Sequence, residues 1–373
     1  MQVDLKKIEQ YVASGKVSKR KHPTLPLNIY TYSKLTEINN EWDEITAMCR
    51  GLILDQNGNV VGNPWPKFFN IEQTSGSAHI RKLKGENLFE FSHKGTKYYY
   101  PDIPYVVYEK MDGSILYGVM YDNQVVLASK GSFESDQVKV GEKILAEKYP
   151  DFHPFDGLTF IWEIIYPANR IVVDYGDMCD LVLLGVRDVN GRDYNPRAFV
   201  PFPKAPVYDK TIQDLLVEKD RKDFINKEGF VVHFADGQKV KIKYEAYFDL
   251  HKIMTNVTSK DILEALEKGD SVVAFCEQKD IPDEMLDEIK AVEKDFINHY
   301  AKIEEDCKYY LSVALDKRER KAQAKNVMEF TPEKYRGIVF AMLDNKDYSK
   351  MIFTLLKIDE KMNRKFIGKA GAS

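Results

Sequence analysis

Short runs of β-branched and aromatic residues, separated by two-residue turn signals, fill the chain up to about residue 245 and constrain its fold. Such runs are typical of strands, and pairs such as Asn57-Gly58 and Asp236-Gly237 are typical of hairpin turns. The runs cover residues 29–32, 51–55, 105–109, 114–121, 124–131, 158–166, 181–188, 229–234 and 238–244. Helices are predicted near residues 134–148 and 211–222. Because strand and helix do not alternate regularly, the pattern predicts an α+β fold of antiparallel hairpins rather than a doubly wound parallel sheet.

The sequence changes character on both sides of this strand-rich region. Residues 1–14 carry apolar side chains on one helical face, and the basic residues that follow, 16–22, are predicted to form a loop. After about residue 250, apolar residues recur at spacings of three and four, which is typical of amphipathic helices. Helices are predicted from residue 258 or 259 to Gly269, over 286–314, from Thr331-Pro332 onward and over 347–358. We therefore expect a strand-rich domain over residues 1–248 and an all-helical domain over residues 249–373.

Composition excludes several classes of protein. The 373 residues include 54 Lys plus Arg and 58 Asp plus Glu, so the net charge of −4 argues against a surface coated with positive charge, although not against a local basic groove. No apolar run approaches the roughly 18 residues of a transmembrane helix. The acidic N-terminal residues differ from a signal peptide, and the four cysteines form no CxxC pair. We expect a cytoplasmic protein with no membrane partner.

Three positively charged residues and one acid stand out before any comparison is made. Lys110 ends a strand ahead of a tight turn, a position that by itself favours an ordinary solvated lysine in a hairpin turn. Lys241 and Lys243 alternate along a strand and share one face, which is either the wet face of a hairpin or the wall of a pocket. In a pocket, like charges close to Lys110 favour its neutral, nucleophilic amine. Glu163 lies within a run of Phe, Ile, Trp and Tyr, and a buried charge requires a partner.

Several short motifs then follow one another in a fixed order between about residues 29 and 247. They are Tyr32, Cys49-Arg50-Gly51, Lys67-Phe68-Phe69-Asn70, Lys110-Met111-Asp112-Gly113, Ser129-Lys130-Gly131-Ser132, residues 160–172, residues 228–232 and Lys241-Ile242-Lys243. Each motif is common by itself, but the ordered set resembles the covalent nucleotidyltransferase superfamily of ligases and capping enzymes. Within that superfamily the chain is similar to ATP-dependent RNA ligases of the phage tRNA-repair type.

This resemblance implies an enzyme that forms phosphoric-ester bonds in RNA by way of an N-terminal adenylyltransferase domain. Lys110 would attack the α-phosphate of ATP to give lysyl–AMP, and the AMP would pass to an RNA 5′-phosphate. An RNA 3′-hydroxyl would then displace AMP and seal the strand. The expected partner is RNA with 5′-phosphate and 3′-hydroxyl ends, including nicked tRNA. The expected enzyme is a monomer in the cytoplasm, or in the host cytoplasm if a phage encodes it.

The resemblance also implies roles for individual residues. The implied ATP site consists of Tyr32, Arg50, Lys67, Glu109, Lys110, Lys130, Glu163, Lys241 and Lys243. Arg50 and Lys67 would grip the β- and γ-phosphates, because an arginine fork suits phosphate oxygens. Lys241 and Lys243 would hold the α-phosphate. Glu163 would bind the ribose, and Lys130 would lie beside the nucleoside. Glu228 would hold Mg²⁺ or Mn²⁺. Outside the resemblance, Glu228 is equally explained as a turn residue, and Arg50 as a salt-bridge partner.

Two alternatives remain open at this point, together with the role of the C-terminal region. A DNA ligase or capping guanylyltransferase shares the motifs, although such enzymes normally carry a β-barrel after the Lys-x-Lys motif, where helices follow here. A non-catalytic RNA-binding relative would not need the whole lysine and glutamate set. Residues 307–373 carry 15 basic and 8 acidic residues. Their basic cluster is either a solvated helix face or a surface that contacts RNA phosphates, and its members are Lys317, Arg318, Arg320 and Lys321.

Overall fold

The computed structural model describes residues 2–73, 87–223, 225–255, 257–278 and 286–362. The chain divides into two compact units, Met1–His251 and Lys252–Ser373. The first unit is rich in antiparallel sheets, and every regular element that is described in the second unit is a helix. The predicted α+β fold class is therefore confirmed.

The described strands of the first unit form three sheets and one separate hairpin. Their bounds are β1 Val17–Lys21, β2 Leu27–Tyr32, β3 Arg50–Asp55, β4 Val60–Gly62, β5 Phe69–Asn70, β6 Leu88–His93, β7 Thr96–Pro101, β8 Tyr105–Lys110, β9 Ser114–Tyr121, β10 Gln124–Ser129, β11 Leu158–Ile165, β12 Asp180–Asp188, β13 Asp193–Tyr194, β14 Val207–Tyr208, β15 Gly229–Phe234 and β16 Lys239–Lys243. The first sheet has the order β1-β2-β3-β4, the second β10-β9-β11-β12-β13 and the third β14-β8-β15-β16-β5, while β6 pairs with β7.

Helices flank these sheets and make up the second unit. Those that begin in the first unit are α1 Leu5–Ala13, α2 Lys34–Asn39, α3 Glu44–Met48, α4 Asp136–Lys148, α5 Ile212–Glu218 and α6 Glu245–Thr255. Those of the second unit are α7 Ser259–Lys268, α8 Val272–Gln278, α9 Leu286–Leu315, α10 Arg320–Phe330, α11 Glu333–Leu343 and α12 Ser349–Met362. The helix over 259–268 ends as predicted, because Gly269 adopts the left-handed conformation that closes it.

The third sheet has one apolar face and one face that carries the candidate site. Phe230 and Ile242 are buried in the core together with Val107. Lys241 and Lys243 alternate with Ile242 and therefore lie on the other face of β16. The alternation read from the sequence thus separates core residues from site residues in this sheet.

Two local expectations were wrong, and two helices were missed. The basic segment predicted as a loop over 16–22 forms β1, which pairs antiparallel with β2 at the edge of the first sheet. An edge strand accommodates charged side chains because one of its sides stays in water. The helix expected to start with Thr331 as its N-cap has Pro332 at that position instead. Two helices, α8 and α10, were not predicted.

Candidate active site

Three neighbouring strands of the third sheet bring the lysine and glutamate motifs together. Lys110 at the end of β8 pairs with Gly229 on β15, and Gly229 pairs in turn with Lys243 on β16. A Cβ atom on Gly229 would lie 2.2 Å from the carbonyl oxygen of Ile242, so only glycine fits there. This close approach puts Glu228, the preceding residue, directly beside both lysines.

The carboxylate of Glu228 is shared by two lysines. Its Oε2 accepts a hydrogen bond from Lys110 Nζ at 2.7 Å, and its Oε1 lies 2.8 Å from Lys243 Nζ. The side chains of Glu228 and Lys243 are 3% and 6% exposed, and that of Lys110 is 21% exposed. Burial by itself raises the pKa of Glu228, but the ammonium groups of Lys110 and Lys243 outweigh it and lower the pKa overall. Glu228 is therefore a carboxylate anion that holds two cations at the edge of the sheet.

The turn after Lys110 is fixed by Asp112, whose side chain is buried. Its Oδ2 accepts hydrogen bonds from the backbone N–H groups of Val172 and Val173, at 2.9 and 2.7 Å. Its Oδ1 accepts a hydrogen bond from the hydroxyl of Tyr247 at 2.7 Å. Tyr247 is itself buried. These contacts tie the Lys110 turn to the segment after β11.

Glu163 joins the second sheet to the same turn. Its carboxylate is buried and accepts a hydrogen bond from the backbone N–H of Gly113 at 3.1 Å. Burial raises its pKa to about 7, although the nearby Lys110 partly opposes this effect. The sequence predicted that this buried acid needs a partner, and the structure gives it the backbone amide of Gly113. A carboxyl group that titrates near neutrality, close to Lys110, is typical of a functional site.

A second group of predicted residues gathers around Tyr32. The ammonium groups of Lys67 and Lys130 lie 5.0 and 4.1 Å from the centroid of the Tyr32 ring. Both lysines also approach Glu37, with Nζ–Oε1 distances of 3.0 Å for Lys67 and 3.8 Å for Lys130. Three predicted site residues therefore share one location in the first unit, beside the carboxylate of Glu37, which belongs to none of the sequence motifs.

Phe68 connects Arg50 with Lys241. The guanidinium carbon of Arg50 lies 5.2 Å from the ring centroid of Phe68, and Lys241 Nζ lies 5.9 Å from the same centroid. The parallel pairing of β5 with β16, in which Asn70 faces Lys241, brings the segment containing Phe68 to the lysine strand. Arg50 and Lys241 are separated along the chain but share one aromatic ring in the structure.

Glu109 is the predicted ATP-site residue that lies apart from this group. It precedes Lys110 on β8, so its side chain leaves the opposite face of the strand. Its Oε2 accepts hydrogen bonds from Lys227 Nζ, at 2.8 Å, and from the hydroxyl of Tyr208. The structure therefore does not bring the Glu109 carboxylate to the site lysines Lys110, Lys241 and Lys243.

The predicted RNA-contacting residues lie where α9 ends and α10 begins. All four side chains are exposed, and the residues are Lys317, Arg318, Arg320 and Lys321. Arg320 Nη2 donates to Asp344 Oδ1 at 2.6 Å, and Lys317 lies 3.4 Å from Asp316. Solvent-exposed ion pairs of this kind are weak, so these cations are available to an anionic partner.

Some functional candidates were missed because no local pattern marks them. Glu37 lies in a short helix with Lys34 three residues earlier, which indicates only a surface ion pair. Its burial and its two distant lysine partners depend on the fold. Asp112 lies inside the Lys110-Met111-Asp112-Gly113 motif. Its role in fixing the turn depends on hydrogen bonds to distant residues, which the motif does not indicate.

A family model described as RNA ligase matches residues 48–257, which is more than half of the chain. The chain therefore belongs to this RNA ligase family. A curated protein of Thermovibrio ammonificans, provisionally named as an RNA ligase, is 28% identical over 216 residues, which cover 53% of this chain and 51% of that protein. The chain thus spans about half the length of this curated relative.

Solved structures of RNA ligases resemble the chain at low sequence identity. The Naegleria gruberi RNA ligase with pyrophosphate is 17% identical, covers 40% of this chain and 52% of its own, and has a TM-score of 0.31. An archaeal ATP-dependent RNA ligase is 10% identical, and the match covers 93% of this chain and 97% of that one, with a TM-score of 0.43.

Among the described residues, no helix is both long and apolar enough to cross a bilayer.

Proposed function

We propose that the protein is an ATP-dependent RNA ligase that joins 5′-phosphate and 3′-hydroxyl RNA ends through a lysyl–AMP at Lys110. The observation that carries the proposal is the convergence of Lys110 and Lys243 on Glu228, at 2.7 and 2.8 Å, within the segment that matches the RNA ligase family. The proposal extends to nicked tRNA as the substrate and to a monomer acting in the cytoplasm. Residues 1–248 form the adenylyltransferase domain, and residues 249–373 help to select the RNA.

The first step is the attack of the Lys110 amine on the α-phosphate of ATP. A bond forms between the Lys110 nitrogen and the α-phosphorus, the bond from that phosphorus to the α,β-bridging oxygen breaks, and pyrophosphate leaves, while the proton that Lys110 loses passes to water. Before this attack, Lys110 separates from Glu228, to which it is bonded. The lowered pKa of Glu228 makes its carboxylate a poor acceptor of that proton, so we assign it an electrostatic role rather than that of a general base.

The surrounding cations neutralise the charge that develops during phosphoryl transfer. Lys243 and Lys241 hold the α-phosphate, and Arg50 and Lys67 receive the leaving pyrophosphate. Glu163 accepts a hydrogen bond from the ribose. The same residues then favour transfer of AMP to an RNA 5′-phosphate and attack by the RNA 3′-hydroxyl.

The residues present suit a magnesium ion that is held mainly by the nucleotide. Within the described part of the chain, no three His, Cys, Asp or Glu side chains form a metal cage. Mg²⁺ usually takes one or two carboxylates together with substrate phosphates and water, and Glu228 offers one carboxylate at the lysine edge. When bound there, Mg²⁺ or Mn²⁺ would neutralise phosphate charge.

The test is incubation with α-labelled ATP and Mg²⁺, followed by denaturing electrophoresis. We expect a labelled protein band that is lost in Lys110→Ala and retained in Lys143→Ala, which changes an exposed lysine of α4. Labelled 5′-phosphorylated RNA then tests strand sealing. Labelling by GTP instead of ATP would indicate a capping enzyme, sealing of DNA alone would indicate a DNA ligase, and no covalent label at all would refute the proposal.

A further inference from the structure

Glu37 lies at the centre of a small cluster of charges that none of the motifs includes. Its side chain is 2% exposed, and its two oxygens contact Lys67 Nζ at 3.0 Å and Lys34 Nζ at 3.2 Å. A third lysine, Lys130, lies 3.8 Å away. We call these four residues the Glu37 cluster. One buried carboxylate thus faces three lysines.

Aromatic rings surround the ammonium group of Lys67. It lies 4.9 Å from the ring centroid of Trp42, 5.0 Å from that of Tyr32 and 5.7 Å from that of Phe69. These rings contact one another edge to face, with centroids 4.9 Å apart for Tyr32 and Trp42 and 5.4 Å apart for Trp42 and Phe69. Aromatic faces attract a cation, but they do not fix the direction in which its N–H groups point. Glu37 supplies that direction, because its carboxylate accepts one N–H of Lys67.

The backbone around Glu37 is held on both sides. Ser33 caps α2 by accepting a hydrogen bond from the N–H of Thr36, and Asn40 closes the helix in the left-handed conformation. The hydroxyl of Thr36 donates to the carbonyl oxygen of Lys16 at 2.8 Å. Thr36, Glu37 and Ile38 are all buried. The helix therefore presents Glu37 to the lysines from a fixed position.

We infer that Glu37 is a positioning residue for ATP, because it holds Lys67 in the orientation that receives the nucleotide's phosphates and keeps Lys130 close by, beside the nucleoside. The inference rests on the proposed function and deepens it, since it adds Glu37 and Lys34 to the part of the expected ATP site that contains Lys67 and Lys130. Three long lysine side chains repel one another and lose rotamer freedom when they converge. The carboxylate offsets this repulsion and fixes where the ammonium groups lie.

The structure also defines the opposite possibility. A carboxylate close to the phosphates repels them, so a residue that merely competed with ATP would weaken its binding. Removing such a competitor would lower the KM for ATP, whereas removing a positioning residue raises it. The sign of the change therefore decides between these two roles.

The experiment compares Glu37→Gln with the wild-type chain and with the matched control Glu41→Gln. Glu41 follows the same helix but pairs with Lys16 in an exposed position. We expect Glu37→Gln to raise the KM for ATP in lysine adenylylation by about tenfold, with kcat within about twofold, as for loss of ground-state binding. Sealing of RNA that already carries a 5′-adenylyl group, which needs no ATP, is expected to match wild type. The control is expected to match wild type in both assays.

Two further variants make the result decisive. If Glu37 acts through Lys67, Lys67→Met with Glu37→Gln binds ATP no more weakly than Lys67→Met alone. If Glu37→Gln does not fold, Lys34→Met with Glu37→Gln replaces it with the same expectations, because it removes a cation together with the carboxylate. An unchanged or lowered KM for ATP, or an equal loss of ATP-independent sealing, would overturn the inference.

Direct binding separates this inference from the proposed function. Equilibrium titration with an ATP analogue whose α,β-bridge cannot be cleaved measures nucleotide affinity without catalysis, and Glu37→Gln is expected to weaken that affinity by about tenfold. If the wild-type chain forms no labelled lysine, the proposed function fails. If the wild-type chain is labelled but Glu37→Gln binds the nucleotide as tightly as the wild-type chain does, only the positioning role of Glu37 is refuted.

Discussion

Replacing Glu228 with glutamine removes the negative charge that Lys110 and Lys243 share. Glutamine keeps the size of the side chain and one oxygen acceptor, so the substitution changes charge far more than packing. The two lysines lie 2.7 and 2.8 Å from the carboxylate, and Lys243 is 6% exposed. After the substitution, the buried ammonium group of Lys243 no longer faces the Glu228 carboxylate.

The magnitude follows from the burial of this pair. Breaking a buried ion pair by removing one partner costs about 3–5 kcal/mol, because the remaining charge stays desolvated after it loses that partner. The side chain of Lys110 is 21% exposed and can turn toward water. We therefore expect a loss near the lower end, about 3 kcal/mol, in the free energy of unfolding of the first unit.

Tryptophan fluorescence during urea unfolding measures this loss in the full chain. The chain has three tryptophans, Trp42, Trp65 and Trp162, and all of them lie within Met1–His251, so the signal reports on the unit that contains Glu228. The control is Glu147→Gln, which changes an exposed pair with Lys143 and is expected to leave the unfolding midpoint unchanged.

The pH dependence supplies the sign of the effect. The pKa of Glu228 is lowered in the folded chain, so its stabilising contribution is present above the unfolded value of about 4.3 and is lost as the pH falls below it. The difference between wild type and Glu228→Gln should therefore shrink in acid. A loss under about 1 kcal/mol at neutral pH, or a difference that grows in acid, would refute the electrostatic reasoning.

Two other predictions follow from the described geometry. Glu163 has a folded pKa raised to about 7, so its ionisation costs stability as the pH rises from the unfolded value toward 7. Glu163→Gln should therefore gain stability relative to wild type across that interval in urea unfolding, and a flat difference would contradict the assignment. Neutralising Lys317, Arg318, Arg320 and Lys321 together should weaken RNA joining while sparing lysine adenylylation, as measured by gel assays of both steps. Equal loss of both activities would rule out a role in RNA binding.

The strand pattern could be predicted because alternation is a local property. Ile242 between Lys241 and Lys243 placed both lysines on one face, and the structure puts Ile242 in the core opposite them. The same rule places Glu109 on the face opposite Lys110, although the family resemblance had grouped the two residues. In the structure Glu109 bonds to Lys227 and Tyr208.

Pairing across the fold could not be predicted from local pattern. The basic residues of β1 looked like a loop because their charges hide the strand signal, yet pairing with β2 orders them. Glu37 and Lys67 are 30 residues apart, and their hydrogen bond depends on how α2 packs beside the segment that leads into β5.

The sequence by itself determined the α+β fold class, the nucleophile candidate Lys110 and the shared face of Lys241 and Lys243, because short motifs and alternation encode these features locally. Only the tertiary structure decided which charges meet. Lys110 and Glu228 are 118 residues apart, and strand pairing between β8, β15 and β16 brings them to 2.7 Å. A buried carboxylate needs a partner, but the identity of that partner is set by sheet register and helix packing, which no local stretch of sequence contains.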